Sequence, residues 1–270
     1  MKTKLRVAAV QMSSSLDKAK NLAEAERLVR QAAKDGAELI VLPELFNLYG
    51  DLSRAAAEAE LLASYTVQLL TQLATELQIY LVGGSFAEAG PEGGRAYNTS
   101  LTIDPAGNTV AFYRKMHLFN VDLGEALRVC ESDNLAPGTE VVCAKTKIGQ
   151  LGIGICYDLR FPELFREQAR RGMEILCVPS AFTLRTGRDH WELLVRARAV
   201  ENQCYVIAAN QVGEHAPNSW SYGHSLIVDP WGRVLTQAGG DNAEVIYADL
   251  TNEVLLDVRR KLPALKNRLL

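Results

Sequence analysis

No stretch of this 270-residue chain is apolar for long enough to cross a bilayer, and Val7 to Val10, after the basic residues of MKTKLR, is too short for a signal-peptide core. Cysteine is sparse and unpatterned. The five residues, Cys130, Cys143, Cys156, Cys177 and Cys204, include no CxxC pair and no metal-like spacing to the four histidines, which argues against a disulfide framework or a zinc site. A reducing, cytoplasmic setting is the simplest reading, with most of the thiols buried as small core residues. Charge of one sign is also lacking. With 29 basic and 32 acidic residues spread throughout, net charge −3, there is no electrostatic reason to expect nucleic acid or an anionic membrane as partner. A phosphate loop and a dinucleotide fingerprint are both missing. No Pro-, Gly- or Ser-rich linker divides the chain, so residues 1–270 are expected to form a single domain.

Nearly half of the residues, 48%, are hydrophobic, enough to bury a sizeable core. Short β-rich runs alternate with amphipathic stretches of helical period, the pattern of an α/β protein. Leu5 to Gln11 reads as a strand. Leu22, Ala25, Leu28, Val29, Ala32 and Ala33 mark one face of a helix ending near Gly36. A buried strand from Glu38 to Leu42 stops at Pro43, and Ala55 to Leu77 reads as one long helix leading to a strand at Gln78 to Gly83. Asp104-Pro105-Ala106-Gly107 has the chemistry of a hairpin turn.

The second half repeats this order. GAELIVLPE, from Gly36, resembles GMEILCVPS, from Gly172; QIYLVGGS, from Gln78, resembles QCYVIAAN, from Gln203. LTIDPAGNTV and LIVDPWGRV, with Asp104 and Asp229, keep the spacing of the second pair. The near-continuous apolar strands LIVL and ILCV suit sheets covered on both sides. Two similar halves with sheets packed face to face are therefore expected.

Three residues stand where chemistry gathers. Glu44 follows a buried strand in LIVLPELF, although a glutamate after a strand is more often a solvated loop residue. Lys115 closes the strand AFYRK among Phe112, Met116 and Leu118, and a lysine buried there needs a carboxylate partner. Cys156 sits at a strand-to-helix corner in GIGICYDLRFPEL, where backbone N–H groups favour thiolate and the glycines permit close approach. Nucleophile, base and cation together are what amide hydrolysis requires. His117, His190, His215 and His224 stand in separate elements and make no competing Cys/His pattern.

These three segments, LPE, YRKMHLF and GIGICYDLRFPEL, occur in an order and spacing that resemble the signature regions of the nitrilase, or carbon-nitrogen hydrolase, superfamily, and the likeness runs from VAAVQM to the region of Asp249. The resemblance implies a four-layer αββα sandwich with pseudo-twofold halves, no metal or organic cofactor, and a homodimer or larger homo-oligomer. By it, Glu44 is the general base, Cys156 the nucleophile that forms a thioester, and Lys115 the stabiliser of the tetrahedral intermediate. The backbone N–H of Tyr157 completes the oxyanion hole, and Glu131 in VCES matches a second glutamate that helps position substrate.

YRKMHLFNVD, PSAF, HWELLVRARAVENQCYV and SYGHSLIVDPWG look most like the branch containing omega-amidase and deaminated-glutathione amidase. Their small-molecule substrates are amides that carry carboxylates, for which Arg160, Arg185 and Arg188 are candidate clamps, with Tyr49 and Phe182 as candidate pocket walls. The helix from about Asp189 to Asn202 has Trp191, Leu194, Val195 and Ala199 at core spacing, so Arg196 and Arg198 are expected to serve the scaffold. PSAF and ENQCYV favour deaminated glutathione. YGD and YLVGGS favour an omega-amidase acting on 2-oxoglutaramate or 2-oxosuccinamate, and nitrile or N-carbamoyl hydrolysis would use the same triad. A non-catalytic binding protein of this fold is disfavoured by the presence of all three catalytic residue types. Members of this branch often finish in an RRPDLY-like tail, whereas the last residues here are KNRLL, a departure that bears on any tail contribution to dimerisation.

Overall fold

Strand alternation decides which side chains meet which layer. In the strand β1 (Lys4–Gln11), Leu5, Val7 and Ala9 enter the space between two sheets, while Ala8 and Val10 face a helical layer outside. The computed structural model describes residues 1–91, 94–124, 128–217 and 219–269. Its first sheet runs β18 (Glu244–Thr251), β1, β2 (Leu39–Val41), β3 (Tyr80–Val82), β5 (Ala96–Ile103) and β4 (Phe86–Glu88). Strands β6 (Thr109–Arg114) and β9 (Leu135–Ala136) also pair with β5. The second sheet runs β10 (Cys143–Lys145), β11 (Gln150–Ile153), β12 (Ile175–Ser180), β13 (Tyr205–Asn210), β16 (Leu226–Val228) and β17 (Val234–Gln237). Two separate hairpins, β7 (Asn120–Asp122) with β8 (Arg128–Cys130) and β14 (Val212–Ala216) with β15 (Ser219–Tyr222), stand outside the sheets.

Between the sheets, Val7, Ala9, Val41 and Val82 join Leu151, Ile153, Cys177 and Ile207 in one apolar cluster. Helices α1 (Lys18–Lys34) and α3 (Tyr65–Leu77) cover the first sheet through Leu22, Leu28, Val29, Leu70 and Leu73. Helices α4 (Pro162–Arg170) and α5 (Leu184–Asn202) cover the second through Leu164, Phe165, Trp191 and Val195. The four layers are thus helix, sheet, sheet, helix, as the family resemblance implies. A short helix α2 (Leu52–Ala57) precedes α3, and α6 (Asn252–Lys261) follows β18.

The internal repeat has a backbone counterpart. Gln78 and Gln203 both take the left-handed conformation at helix C-termini, φ 56° and 46°, and each leads into a central strand. Asp104 and Asp229 each accept backbone N–H bonds from two and four residues on, closing equivalent turns. The expected long helix over Ala55 to Leu77 is two helices. Asp51 and Ser64 supply separate N-caps, and Glu60 in the intervening segment pairs with Lys18 and accepts from Asn47 and Thr66. The helix expected from Asp189 starts earlier, at Leu184, capped by Thr183, which puts Arg185 and Arg188 in its first two turns.

Candidate active site

Glu44, Lys115, Glu131 and Cys156 come from separate parts of the chain and meet beneath a cleft of about 1310 Å³. Glu44 follows β2, Lys115 follows β6, Glu131 opens a single 3-10 turn after β8, and Cys156 begins the 3-10 turn Cys156–Arg160 after β11. All four are buried. The Lys115 ammonium lies 2.8 Å from Glu44 Oε1 and 2.9 Å from Glu131 Oε2. Two carboxylates and one ammonium give this group a net negative charge, and the two carboxylates raise the lysine well above its ordinary range against the opposing pull of burial. Lys115 is therefore a permanent cation.

Each carboxylate is held on several sides. Glu44 Oε1 also accepts from Asn98 Nδ2 at 2.8 Å, and Oε2 from the backbone N–H of Ala181 at 2.9 Å. Glu131 is buried and accepts the Phe119 N–H at 2.6 Å.

The expectation that the corner favours thiolate is corrected. Burial, followed by the charge of Glu44, pushes the Cys156 thiol well above its ordinary range, and Lys115 offsets this only in part. The corner is a five-residue 3-10 turn rather than the start of an α-helix, so the macrodipole available there is small. Cys156 is accordingly a protonated thiol that feels the charge of the Glu44 carboxylate.

Backbone conformation at this corner is unusual. Cys156 has φ 46°, and Leu45, next to Glu44, has φ 47°, a region that costs a non-glycine residue roughly 1 kcal/mol or more. Asp158 holds the turn. Its buried carboxylate accepts Ile155 N–H (2.8 Å), the Tyr113 hydroxyl (2.7 Å) and His117 N–H (3.1 Å), with His117 Nδ1 at 2.7 Å. The turn that begins at Cys156 is thereby tied to the segment around Lys115.

The remaining sequence candidates line the same cleft: Tyr49, Tyr157, Arg160, Phe182, Arg185 and Arg188. Burial, followed by the charge of Glu44, raises the Tyr49 hydroxyl above its ordinary range. The Arg160 guanidinium lies over two rings, 5.6 Å from the centroid of Tyr157 and 5.5 Å from that of Phe182. Among the described residues, Arg160, Arg185 and Arg188 have no carboxylate within ion-pair distance, so the cleft holds guanidinium groups without internal counter-ions. Arg196 and Arg198 serve the scaffold as expected: they donate to the carbonyls of Gly232 and Leu159.

Several lining or supporting groups carried no sequence signal. Asn98 sits in β5 like any buried polar strand residue, Arg128 and Trp220 reach the cleft from the two outlying hairpins, and the Ala181 N–H is invisible in side-chain chemistry. Cys143, on the outer strand β10, is not among the lining residues, and no group of His, Cys, Asp and Glu among the described residues could hold a metal ion.

Comparison with known proteins adds three findings. Residues 6–260 match the family model for carbon-nitrogen hydrolases. The chain is 41% identical to the omega-amidase NIT2 of Danio rerio, over 98% of this chain and 95% of that one, and 40% identical to the deaminated glutathione amidase of a Synechocystis strain, over 97% of each. Its structure is similar to that of Saccharomyces cerevisiae Nit3, a member of branch 10 of the nitrilase superfamily, with a TM-score of 0.88 and 38% identity over 99% of this chain and 97% of that one.

Proposed function

The chain belongs to the carbon-nitrogen hydrolase family, and from that premise we propose that it is an amidase acting through Cys156, with Glu44 as general base, Lys115 as the cation at the reacting centre, and Glu131 as the residue that holds Lys115 and substrate in place. Residues 1–270 form one catalytic domain in this reading, supported by the pairing of β18 with β1 across the two ends of the sequence.

In the reaction, Glu44 takes the thiol proton as Cys156 sulfur attacks the amide carbon. The resulting oxyanion is stabilised by Lys115 and the backbone N–H of Tyr157. Collapse breaks the C–N bond, with Glu44 returning the proton to the leaving amine, and leaves a thioester. Water then attacks the thioester carbon while Glu44 takes its proton. The acid is released and the proton returns to sulfur. This cycle starts from a protonated thiol, in keeping with the buried Cys156 beside a carboxylate.

Deaminated glutathione is the favoured substrate, and the cleft is the observation that carries this. Deaminated glutathione and 2-oxoglutaramate deliver the same 2-oxo acyl group to sulfur and differ in the leaving amine: cysteinylglycine for one, ammonia for the other. The triad is indifferent to that difference. A cleft of about 1310 Å³ with Arg160, Arg185 and Arg188, none of them in an ion pair among the described residues, has room and charge for the longer molecule and both its carboxylates. The test follows cysteinylglycine release from deaminated glutathione, and ammonia release from 2-oxoglutaramate, 2-oxosuccinamate, a nitrile and an N-carbamoyl amino acid, with Cys156→Ala as control. Cysteinylglycine release that is lost in the variant supports the proposal. Faster turnover of 2-oxoglutaramate instead would make the protein an omega-amidase with the same machinery.

A homodimer in a reducing, cytoplasmic setting completes the proposal. Five free thiols support the setting, and no helix among the described residues is long and apolar enough to cross a membrane. Leu193 and Val200, exposed on the outer face of α5, and the neighbouring exposed Trp231 make an apolar face suited to pairing with a second copy.

A further inference from the structure

Glu44 has two oxygens, and only one can take a proton from sulfur. Oε1 is fully engaged, with Lys115 Nζ at 2.8 Å and Asn98 Nδ2 at 2.8 Å. Oε2 accepts a single donor, the Ala181 N–H at 2.9 Å. Oε2 is therefore the oxygen with acceptor capacity left for a proton. Lys115 alone would leave the carboxylate free to turn about its terminal torsion, which is broad in glutamate. A second donor on Oε1, set by a strand, removes that freedom.

We infer that Asn98 is a positioning residue of the reaction: its side-chain amide fixes the Glu44 carboxylate so that Oε2 faces the nucleophile. This rests on the proposed roles of Glu44 and Cys156. Asn98 is wholly buried in β5, and its Nδ2 also reaches Glu131 Oε1 at 3.4 Å. Its backbone carbonyl accepts the Lys115 N–H at 2.9 Å. One residue thus orients both glutamates by its side chain and the lysine by its main chain. An amide suits this post where a second cation would not. The site already has one ammonium for two carboxylates, and a further full charge beside Oε1 would disfavour proton uptake by Glu44, whereas an amide N–H orients without adding charge. Chemistry also fixes which way the amide points, since Oδ1 turned toward two carboxylates would be repelled.

The test uses the full chain with 2-oxoglutaramate or deaminated glutathione, whichever the wild type turns over, and iodoacetamide as a probe of Cys156. Asn98→Ala is expected to lower kcat by about 30-fold or more with KM within about threefold, the pattern of a group acting on the chemical step. Alkylation of Cys156 should slow about tenfold in protein whose circular dichroism is unchanged. A kcat within threefold of wild type, a rise in KM that accounts for the whole loss, or an unaltered alkylation rate would each overturn the inference. Should Asn98→Ala fail to fold, Asn98→Ser, whose hydroxyl is too short to reach both glutamates, carries the same test. Glu44→Gln and Cys156→Ala run alongside: if either keeps wild-type turnover, the proposed roles of Glu44 and Cys156 fail, whereas their inactivity beside a fully active Asn98→Ala sinks only the role of Asn98.

Discussion

A buried ammonium between two buried carboxylates is costly to leave half-made. Removing Lys115 leaves Glu44 and Glu131 close together without a counter-ion, so Lys115→Ala should destabilise the fold by about 3–5 kcal/mol in urea titrations. Lys115→Arg keeps the charge yet should still lose nearly all turnover, because a planar fork cannot replace a compact ammonium 2.8 and 2.9 Å from two oxygens; near-normal kcat would refute the assigned role. Cys156→Ser, close to isosteric, should unfold at the wild-type midpoint and retain almost no activity. Loss of folding would mark the cysteine as structural. Glu44, Lys115 and Cys156 were legible as residues because their segments have distinctive letters. Asn98 and the Ala181 N–H were not, since a polar residue in a strand and a main-chain donor look alike wherever they fall.

At the scale of elements, the strands and amphipathic helices followed from apolar period, and the errors came from caps. Ala55 to Leu77 is rich in helix formers throughout, but Ser64 capping α3 and Glu60 bonded to Lys18, Asn47 and Thr66 break the run. The thiolate expectation failed because Cys156 is buried beside the charge of Glu44, and the 3-10 turn at this corner supplies little helix dipole to offset them. The Asp158 carboxylate bridges that turn to Tyr113 and His117; an asparagine has one acceptor oxygen where several donors converge, so Asp158→Asn should cost about 3 kcal/mol and lower kcat. The hairpin containing His215 carries its own signature. Burial lowers this histidine to about 4 while its Nδ1 bonds the Ser14 carbonyl at 2.6 Å. The folded form binds its proton less readily than the unfolded chain, so stability is full above pH 6.5 and falls as pH drops toward 4, by roughly 3 kcal/mol in all. Urea midpoints measured from pH 7 to 4.5 should show this slope, and His215→Gln should flatten it.

Across the whole molecule, the two halves announced in the sequence are interlocked rather than separate. β18 returns from the second half to pair with β1 in the first sheet over Lys4↔Thr251 to Gln11↔Glu244, and Glu44 takes the Ala181 N–H from beyond β12 of the second sheet. A site assembled at such a junction depends on both halves, which is why no single motif was decisive alone. The apolar face of Leu193, Val200 and Trp231 predicts a wild-type dimer in sedimentation equilibrium and a folded monomer for Leu193→Glu with Val200→Glu; a monomeric wild type would contradict the pairing, and a variant that stays dimeric would place the interface elsewhere. Intact-protein and peptide mass spectrometry after rapid acid quench of the enzyme turning over deaminated glutathione or 2-oxoglutaramate tests the central claim most directly. The account predicts one 2-oxo acyl adduct, the same from either substrate, on the peptide carrying Cys156. Turnover with no adduct on that peptide, or an adduct on another cysteine, would contradict it.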